Sequence, residues 1–341
     1  MEYVSAGESH GKHMMAILSG FPAGLRVDLD LLKSELLRRR SGKGRSKRLE
    51  FESDNVLITS GVEDLHTTGA PISFLLENVE GEALIEKRVK EKGFPRPGHV
   101  DFASCLKYGY KTISIGAERA SARETALRVA AGSLCKMLLK DFDVEISSEV
   151  LEIGGAFVED FDFKLESESG KSAGGSIIVK VKGTPVGLGS NVQWYNRLDS
   201  KISAALMSIP SVKGVYIGHT EIHRMRGTES LDHFENGSGS RKSNFAGGVE
   251  GGFSNGCDID VTLFLKPIPT QPHEIDSYSV FDGSKGMSGG GRNDLWCVDR
   301  ALVIAESVMS FVIADAFVDK FGCDCLEDIK SALKFYRKRI K

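Results

Sequence analysis

RPGHVDFASCLKYGYKTISIGAERASARETALRVAAGSL, from Arg96 to Leu134, joins a rigid turn to a long helix, and the rest of the chain is arranged around it. In its first four residues Pro97 fixes one backbone angle and Gly98 frees the next, which presents His99 at a set place on a loop. Further on, Ser121-Ala-Arg-Glu124 has the Ser-x-x-Glu form of a capping box ahead of an apolar run, predicting a helix from Ala122 to about Leu139. A helix start offers unpaired N–H groups and a positive dipole end to an anion, and Arg119 and Arg123 add guanidinium forks beside it. By itself the capping box says only that a core helix is capped. With a loop histidine and two arginines around it, the same stretch reads as an anion site. Ala126, Ala130, Ala131, Gly132 and Ser133 are small, which suits close packing of this helix in the interior.

Outward from this stretch, the N-terminus reads as a strand, Tyr3 to Ala6, then Gly7-Glu-Ser-His-Gly11, then a second apolar strand, Met14 to Leu18. A histidine between glycines is a poor core residue, so His10 is a candidate for catalysis or ligand contact. Asp28 or Asp30 can cap a helix through about Arg40. That helix runs into a basic stretch in which seven of the eleven residues from Arg38 to Arg48 are Lys or Arg. A solvated loop, a nucleic-acid contact and a lid over a small polyanion all fit it; the lack of interleaved aromatics disfavours nucleic acid, and the phosphate-type donors elsewhere favour the lid.

Val56 to Ser60, Ile72 to Leu76, Glu145 to Leu151, Ser176 to Lys182 and Val215 to Ile217 read as strands, and Leu198 to Ser208 as a helix. Asn78 to Phe94 reads as a mobile surface excursion and Ser167 to Gly175 as a flexible connection. The second half echoes the first: Gly183-Thr-Pro-Val-Gly-Leu188 repeats Gly20-Phe-Pro-Ala-Gly-Leu25, Gly248-Val-Glu250 repeats Gly61-Val-Glu63, and Arg300-Ala301 opens a long helix as Arg119-Ala120 does. The spacing is unequal, which implies one duplicated body rather than a tandem array. We therefore expect a single α+β domain over 1–341 with pseudo-repeats of about 1–141 and 142–320, the two long helices lying between outer sheets.

Composition sets limits. The chain has 341 residues, 41% of them hydrophobic, enough to bury a large core. A net charge of −3 gives no global pull toward nucleic acid or an acidic membrane. Six scattered cysteines with no signal-type segment suggest a reduced, cytoplasmic protein, and Cys323-x-Cys325 lacks the partners a metal site needs. Ala301 to Phe317 is apolar, but Glu306 and Asp315 interrupt it, so a buried helix is the reading rather than a membrane span. The glycine-rich loop Asn244 to Gly252 matches no nucleotide motif, and Gly289-Gly-Gly-Arg-Asn-Asp294 places an arginine and a carboxylate on a pliable loop. Two turn histidines able to move protons near neutrality, with arginines to hold anions, point to acid/base chemistry on a small phosphorylated substrate.

Arg96-Pro-Gly-His-Val-Asp101, Lys107-Tyr-Gly109, Arg119-Ala-Ser-Ala-Arg-Glu-Thr-Ala126 and Gly7-Glu-Ser-His-Gly11 resemble the signatures of the chorismate synthase family, in the same order. The likeness runs from Gly7 to about Ala305. It implies a β-α-β sandwich, a homotetramer, and elimination of phosphate and a C6 proton from 5-enolpyruvylshikimate 3-phosphate to give chorismate, with reduced FMN as cofactor. By the same likeness His10 would protonate the reduced flavin, His99 would assist the departing phosphate, and Asp294 would act as a base through the flavin N5. Arg39, Arg45 and Arg123 would hold substrate. Arg119, Ala120, Ser121, Pro210, Ser211, Gly251, Lys266, Pro267, Ile268, Pro269, Thr270 and Arg292 would contact flavin. No segment fits a separate nicotinamide (NADP) domain, so an external reductant is expected. The chain departs from the family pattern at Gly116-Ala-Glu118, Ala120, Asn293 and the segment after Asp294, and Glu118 would bring a negative charge near the phosphate. Two rival readings stand beside this one: a polyphosphate- or RNA-binding protein using Arg38 to Arg48, and a divergent phosphate-binding relative without activity.

Overall fold

The computed structural model describes residues 1–9, 11–42, 54–78, 93–163, 170–237, 239–290 and 294–340. The first sheet holds β1 (Glu2–Ala6), β2 (His13–Ser19), β3 (Val56–Ser60) and β4 (Ile72–Glu77) in the order β1-β2-β4-β3, with every pair antiparallel. Its strands follow the alternation of their sequences. Met14, Ala16 and Leu18 of β2 are buried with Ile72, Phe74 and Leu76 of β4, while Met15 and Ile17 face outward. The second sheet holds β5 (Glu145–Ile153), β6 (Ala156–Phe157), β7 (Gly175–Lys182), β8 (Val212–Ile217) and β9 (Ile259–Leu265) in the order β8-β9-β7-β5-β6, again antiparallel.

Helices fill the space between the sheets. α1 (Leu29–Arg40) starts at Asp28, whose carboxylate accepts from the amides of Asp30 and Leu31, both at 3.0 Å, as the sequence leads one to expect. α2 (Asp101–Tyr108) and α3 (Ser114–Arg119) follow the histidine turn, and neither is evident in the residue pattern. α4 (Thr125–Lys140), α5 (Leu198–Met207), α6 (Val298–Phe321) and α7 (Leu326–Arg339) complete the helical layer. α4 and α6 form the main helix pair of the core. At their closest point a Cβ on Gly132 would lie 2.4 Å from Cβ of Ser307, so this glycine is what lets the helices approach. α6 is long and apolar enough to cross a membrane by length and composition, but most of it is buried between the sheets.

The two Gly-x-Pro-x-Gly-Leu corners make matching hydrogen bonds. In the first corner Thr67 Oγ1 donates to the Pro22 carbonyl at 2.7 Å and accepts from the Leu25 amide at 3.0 Å, while the Gly24 amide donates to the Thr67 carbonyl at 2.8 Å. In the second, Ser254 Oγ donates to the Pro185 carbonyl at 2.6 Å and accepts from the Leu188 amide at 2.8 Å, while the Gly187 amide donates to the Ser254 carbonyl at 2.8 Å. Both corner glycines have positive φ, +90° for Gly24 and +85° for Gly187, which explains why the repeated motif keeps glycine there.

The capping box is realised only in part. Ser121 does accept from the Arg123 amide at 3.4 Å, but residues Ala122–Glu124 form a 3-10 turn before α4 begins. Glu124 does not reach back to Ser121. Its buried carboxylate takes bonds from Tyr3 (3.2 Å), Ser5 (3.0 Å) and Arg128 (2.8 Å), tying β1 to α4. Most of the excursion expected at Asn78 to Phe94, and part of the connection at Ser167 to Gly175, lie outside the described residues.

Candidate active site

A cavity of about 710 Å³ opens where the N-terminal ends of α4 and α6 meet the histidine turn, with Thr125, Ala301 and Ile304 on its helical floor. His99 lines it from a turn closed by its own amide on the Arg96 carbonyl at 3.2 Å, with Gly98 at φ +75°. Lys266 Nζ donates to the Gly98 carbonyl at 2.5 Å, so a residue from the end of β9 braces the turn. His99 Nδ1 lies 2.6 Å from Asp101 Oδ1. Arg96 grips the same carboxylate through its backbone amide at 3.1 Å, Nε at 2.8 Å and Nη2 at 3.1 Å, and reaches across to Thr270 Oγ1 with Nη1 at 3.0 Å. Asp101 is almost wholly buried. Burial would push its carboxyl up, but the bonds from His99 and Arg96 outweigh that and hold it well below the usual carboxylate range.

A second cluster borders the floor. Arg39, at the end of α1, is 5% exposed and lines the cavity. Its Nε and Nη2 donate to Asp54 Oδ2 at 2.9 and 2.5 Å, and Nη1 to Thr125 Oγ1 at 3.3 Å. Desolvation lowers the guanidinium's proton affinity, and the Asp54 carboxylate opposes that loss. Asp54 also pairs with Arg123, whose Nε donates to Asn78 Oδ1 at 3.2 Å. Arg38, the neighbour of Arg39, points the other way, to Glu35 and to Glu306 on α6, and its affinity for the proton is raised chiefly by the bond to Glu306. Two of the cations in the basic stretch are thus tied to internal carboxylates.

Ala120, Ser121, Pro210, Ser211, Lys266, Ile268, Pro269, Thr270 and Asp294 all border the cavity. Ser211 adopts φ +72°, an uncommon conformation for a residue with a side chain, and its carbonyl accepts from the Lys266 amide at 2.9 Å. Asp294 forms an ion pair with Arg300. The cavity does not include Arg119, Arg123, Pro267 or Gly251. Arg119 turns to Ser5, donating to its hydroxyl at 2.9 Å, and Gly251 lies at the tip of the hairpin formed by Val249–Glu250 and Phe253–Ser254. His10, Arg45 and Arg292 lie outside the described residues.

Four participants escape the sequence reading: Arg96, Asp101, Asp54 and Arg300. The first two sit inside the quoted turn motif and could have been flagged by the charge pair flanking His99. Glu118 does border the cavity, and its carboxylate accepts from Ser9 Oγ at 2.5 Å while its carbonyl accepts from the Ser9 amide at 3.3 Å. All six cysteines are free, and among the described residues no group of three His, Cys, Asp or Glu side chains is placed to hold a metal ion.

Two antiparallel sheets around a helical core, with a cavity lined by charged residues at the helix ends, define an α+β protein of the sandwich type. The sequence matches the family model described as chorismate synthase over residues 1–318. It is 40% identical to the chorismate synthase of Caldanaerobacter subterraneus subsp. tengcongensis over 100% of this chain and 99% of that one. With the chorismate synthase of Thermotoga maritima it shares 37% identity over 97% of this chain and 94% of that one. A crystal structure of chorismate synthase superposes with a TM-score of 0.80 at 31% identity, covering 99% of this chain and 98% of that chain. The chain belongs to the chorismate synthase family, and its function is that of a chorismate synthase.

Proposed function

We propose that this chain is a carbon–oxygen lyase that eliminates phosphate and a proton, 1,4 and anti, from 5-enolpyruvylshikimate 3-phosphate to give chorismate, with reduced FMN as its cofactor. The observation that carries the reading is the cavity itself, where His99, Arg39 and Asp294 converge although they stand far apart in the chain. The cofactor fits the residues present: Ile268, Pro269, Pro210 and Ala120 offer a neutral surface suited to a flat ring system, bordered by the donors Ser121, Thr270 and Lys266. Reduced flavin, when bound, supplies electron density to the cation that develops as phosphate leaves.

The chain's own residues do the rest. His99 donates a proton or hydrogen bond to the departing phosphate oxygen, Arg39 and Arg45 hold phosphate and carboxylates, and Asp294 serves as the base. His10 is the acid assigned to the cofactor's side of the site. The fixed charges that line the cavity act directly on the leaving group. We further read the chain as one domain of two pseudo-repeats, about 1–141 and 142–320, as a cytoplasmic homotetramer, and as dependent on an external flavin reductant.

Anaerobic incubation with 5-enolpyruvylshikimate 3-phosphate should release phosphate and chorismate in equal amounts with reduced FMN and neither with oxidised FMN. His10→Ala and His99→Ala should each lose turnover, by ~10²-fold or more, while retaining flavin binding. Near wild-type turnover in both variants would remove the roles given to these histidines.

A further inference from the structure

We propose that Asp101 is a positioning residue that fixes the His99 ring with its proton on Nδ1, leaving Nε2 as the nitrogen that meets the leaving group. The proposal rests on the reading of His99 as the residue that assists departing phosphate. Two groups contact Nδ1, Asp101 Oδ1 at 2.6 Å and Arg96 Nη2 at 3.1 Å. They make opposite demands, because a carboxylate needs an N–H to accept and a guanidinium needs a lone pair to donate into. The carboxylate contact is the shorter by half an ångström, and an ionised carboxylate can only accept, whereas the Nη2 group has a second acceptor in Asp101 Oδ1 at 3.1 Å. Nδ1 therefore carries the proton, and the bond it makes to the Asp101 carboxylate sets the tautomer of the ring.

The carboxylate is made for this task. It accepts from three groups of Arg96 besides His99 and is 1% exposed, so it has no freedom to rotate away. The charged groups that face the turn are Arg96, Asp101 and Lys266, the last bound to the Gly98 carbonyl. When the ring carries a proton on both nitrogens, Nδ1–H is held by Asp101 and Nε2–H is the donor. As the C–O bond to phosphate breaks, the Nε2–H bond breaks and an O–H forms on the phosphate. The ring left behind is the neutral Nδ1–H form, which needs no tautomer exchange before solvent protonates Nε2 again. Arg96 extends the device by anchoring on Thr270, so the orientation of the ring is referred to the opposite side of the cavity.

Nitrogen-15 NMR of histidine-labelled protein, with His99 assigned by the resonance missing in His99→Ala, reads the tautomer directly. The wild-type neutral ring should be in the Nδ1–H form. In Asp101→Asn it should shift toward Nε2–H, with kcat down ~10²-fold and KM little changed. A wild-type ring in the Nε2–H form overturns the proposal without any variant, as does Asp101→Asn with unchanged tautomer and kcat. Should Asp101→Asn fail to fold, Arg96→Gln, which removes the donor competing for Nδ1, should leave the neutral ring in the Nδ1–H form, and a ring in the Nε2–H form there is equally fatal. Full turnover in His99→Ala would instead sink the underlying reading of the site, a separate result from a normal Asp101→Asn beside an inactive His99→Ala.

Discussion

Thr67 and Ser254 occupy matching corners and make the same bonds to matching partners, Pro22, Gly24 and Leu25 in one case and Pro185, Gly187 and Leu188 in the other. The two sides of the cavity show no such likeness. Residues before position 142 supply Arg39, His99, Asp101 and Glu118; later residues supply a mostly neutral surface of Ile209, Pro210, Ile268, Pro269 and Ile304, with Lys266 and the Asp294–Arg300 pair as its charges. The corners hold the backbone alike, while the residues that line the cavity differ between the two halves of the chain.

The largest expected effect tests the charged side. Asp54→Ala leaves Arg39 buried and Arg123 without their shared carboxylate, and removing one member of such a cluster costs about 3–5 kcal/mol. Denaturant unfolding that shows less than about 1 kcal/mol would mean that the arginines find other partners, and the contrast between the two sides would lose its structural basis. A middle-sized effect is expected at the seam. Gly132→Ala must push α4 from Ser307 and should cost about 1–3 kcal/mol, read as a lower thermal midpoint. The smallest effects sharpen the corner comparison. Thr67→Val and Ser254→Ala each remove one hydroxyl that both donates and accepts, and each should cost about 1–2 kcal/mol. Similar losses at both sites support equal corners; a cost at only one would show that the matching bonds carry unequal weight.

The legible parts of this molecule were those whose causes are local. Pro97 and Gly98 announce the histidine turn, Asp28 announces α1, and alternation announces β2 and β4. The repeated Pro-x-Gly-Leu announces two similar corners, but only coordinates could show that one hydroxyl serves each of them. Partner choice among charges was not legible. Glu124 looks like the end of a capping box until Tyr3, Ser5 and Arg128 are folded against it. Arg119 and Arg123 flank a helix start and yet turn to Ser5 and Asp54, because carboxylates and hydroxyls brought in by other strands compete for them. Asp54 itself carries no signal, since its meaning depends on two arginines 15 and 69 positions away. The helix α7 and the hairpin of Glu274–Tyr278 with Lys285–Gly289 were also missed, each being too polar in sequence to stand out from loop.

The apolar character of α6 has a consequence for biosynthesis of the chain. A helix of this hydrophobicity, met alone in water, would aggregate or be drawn toward lipid. Its place in the order of elements removes much of that hazard: both sheets and α4 precede it, so the ribosome has already delivered most of what will cover it, with α7 following to pack against its C-terminal end through Tyr336 on Phe321. The most dangerous segment emerges after most of its shelter.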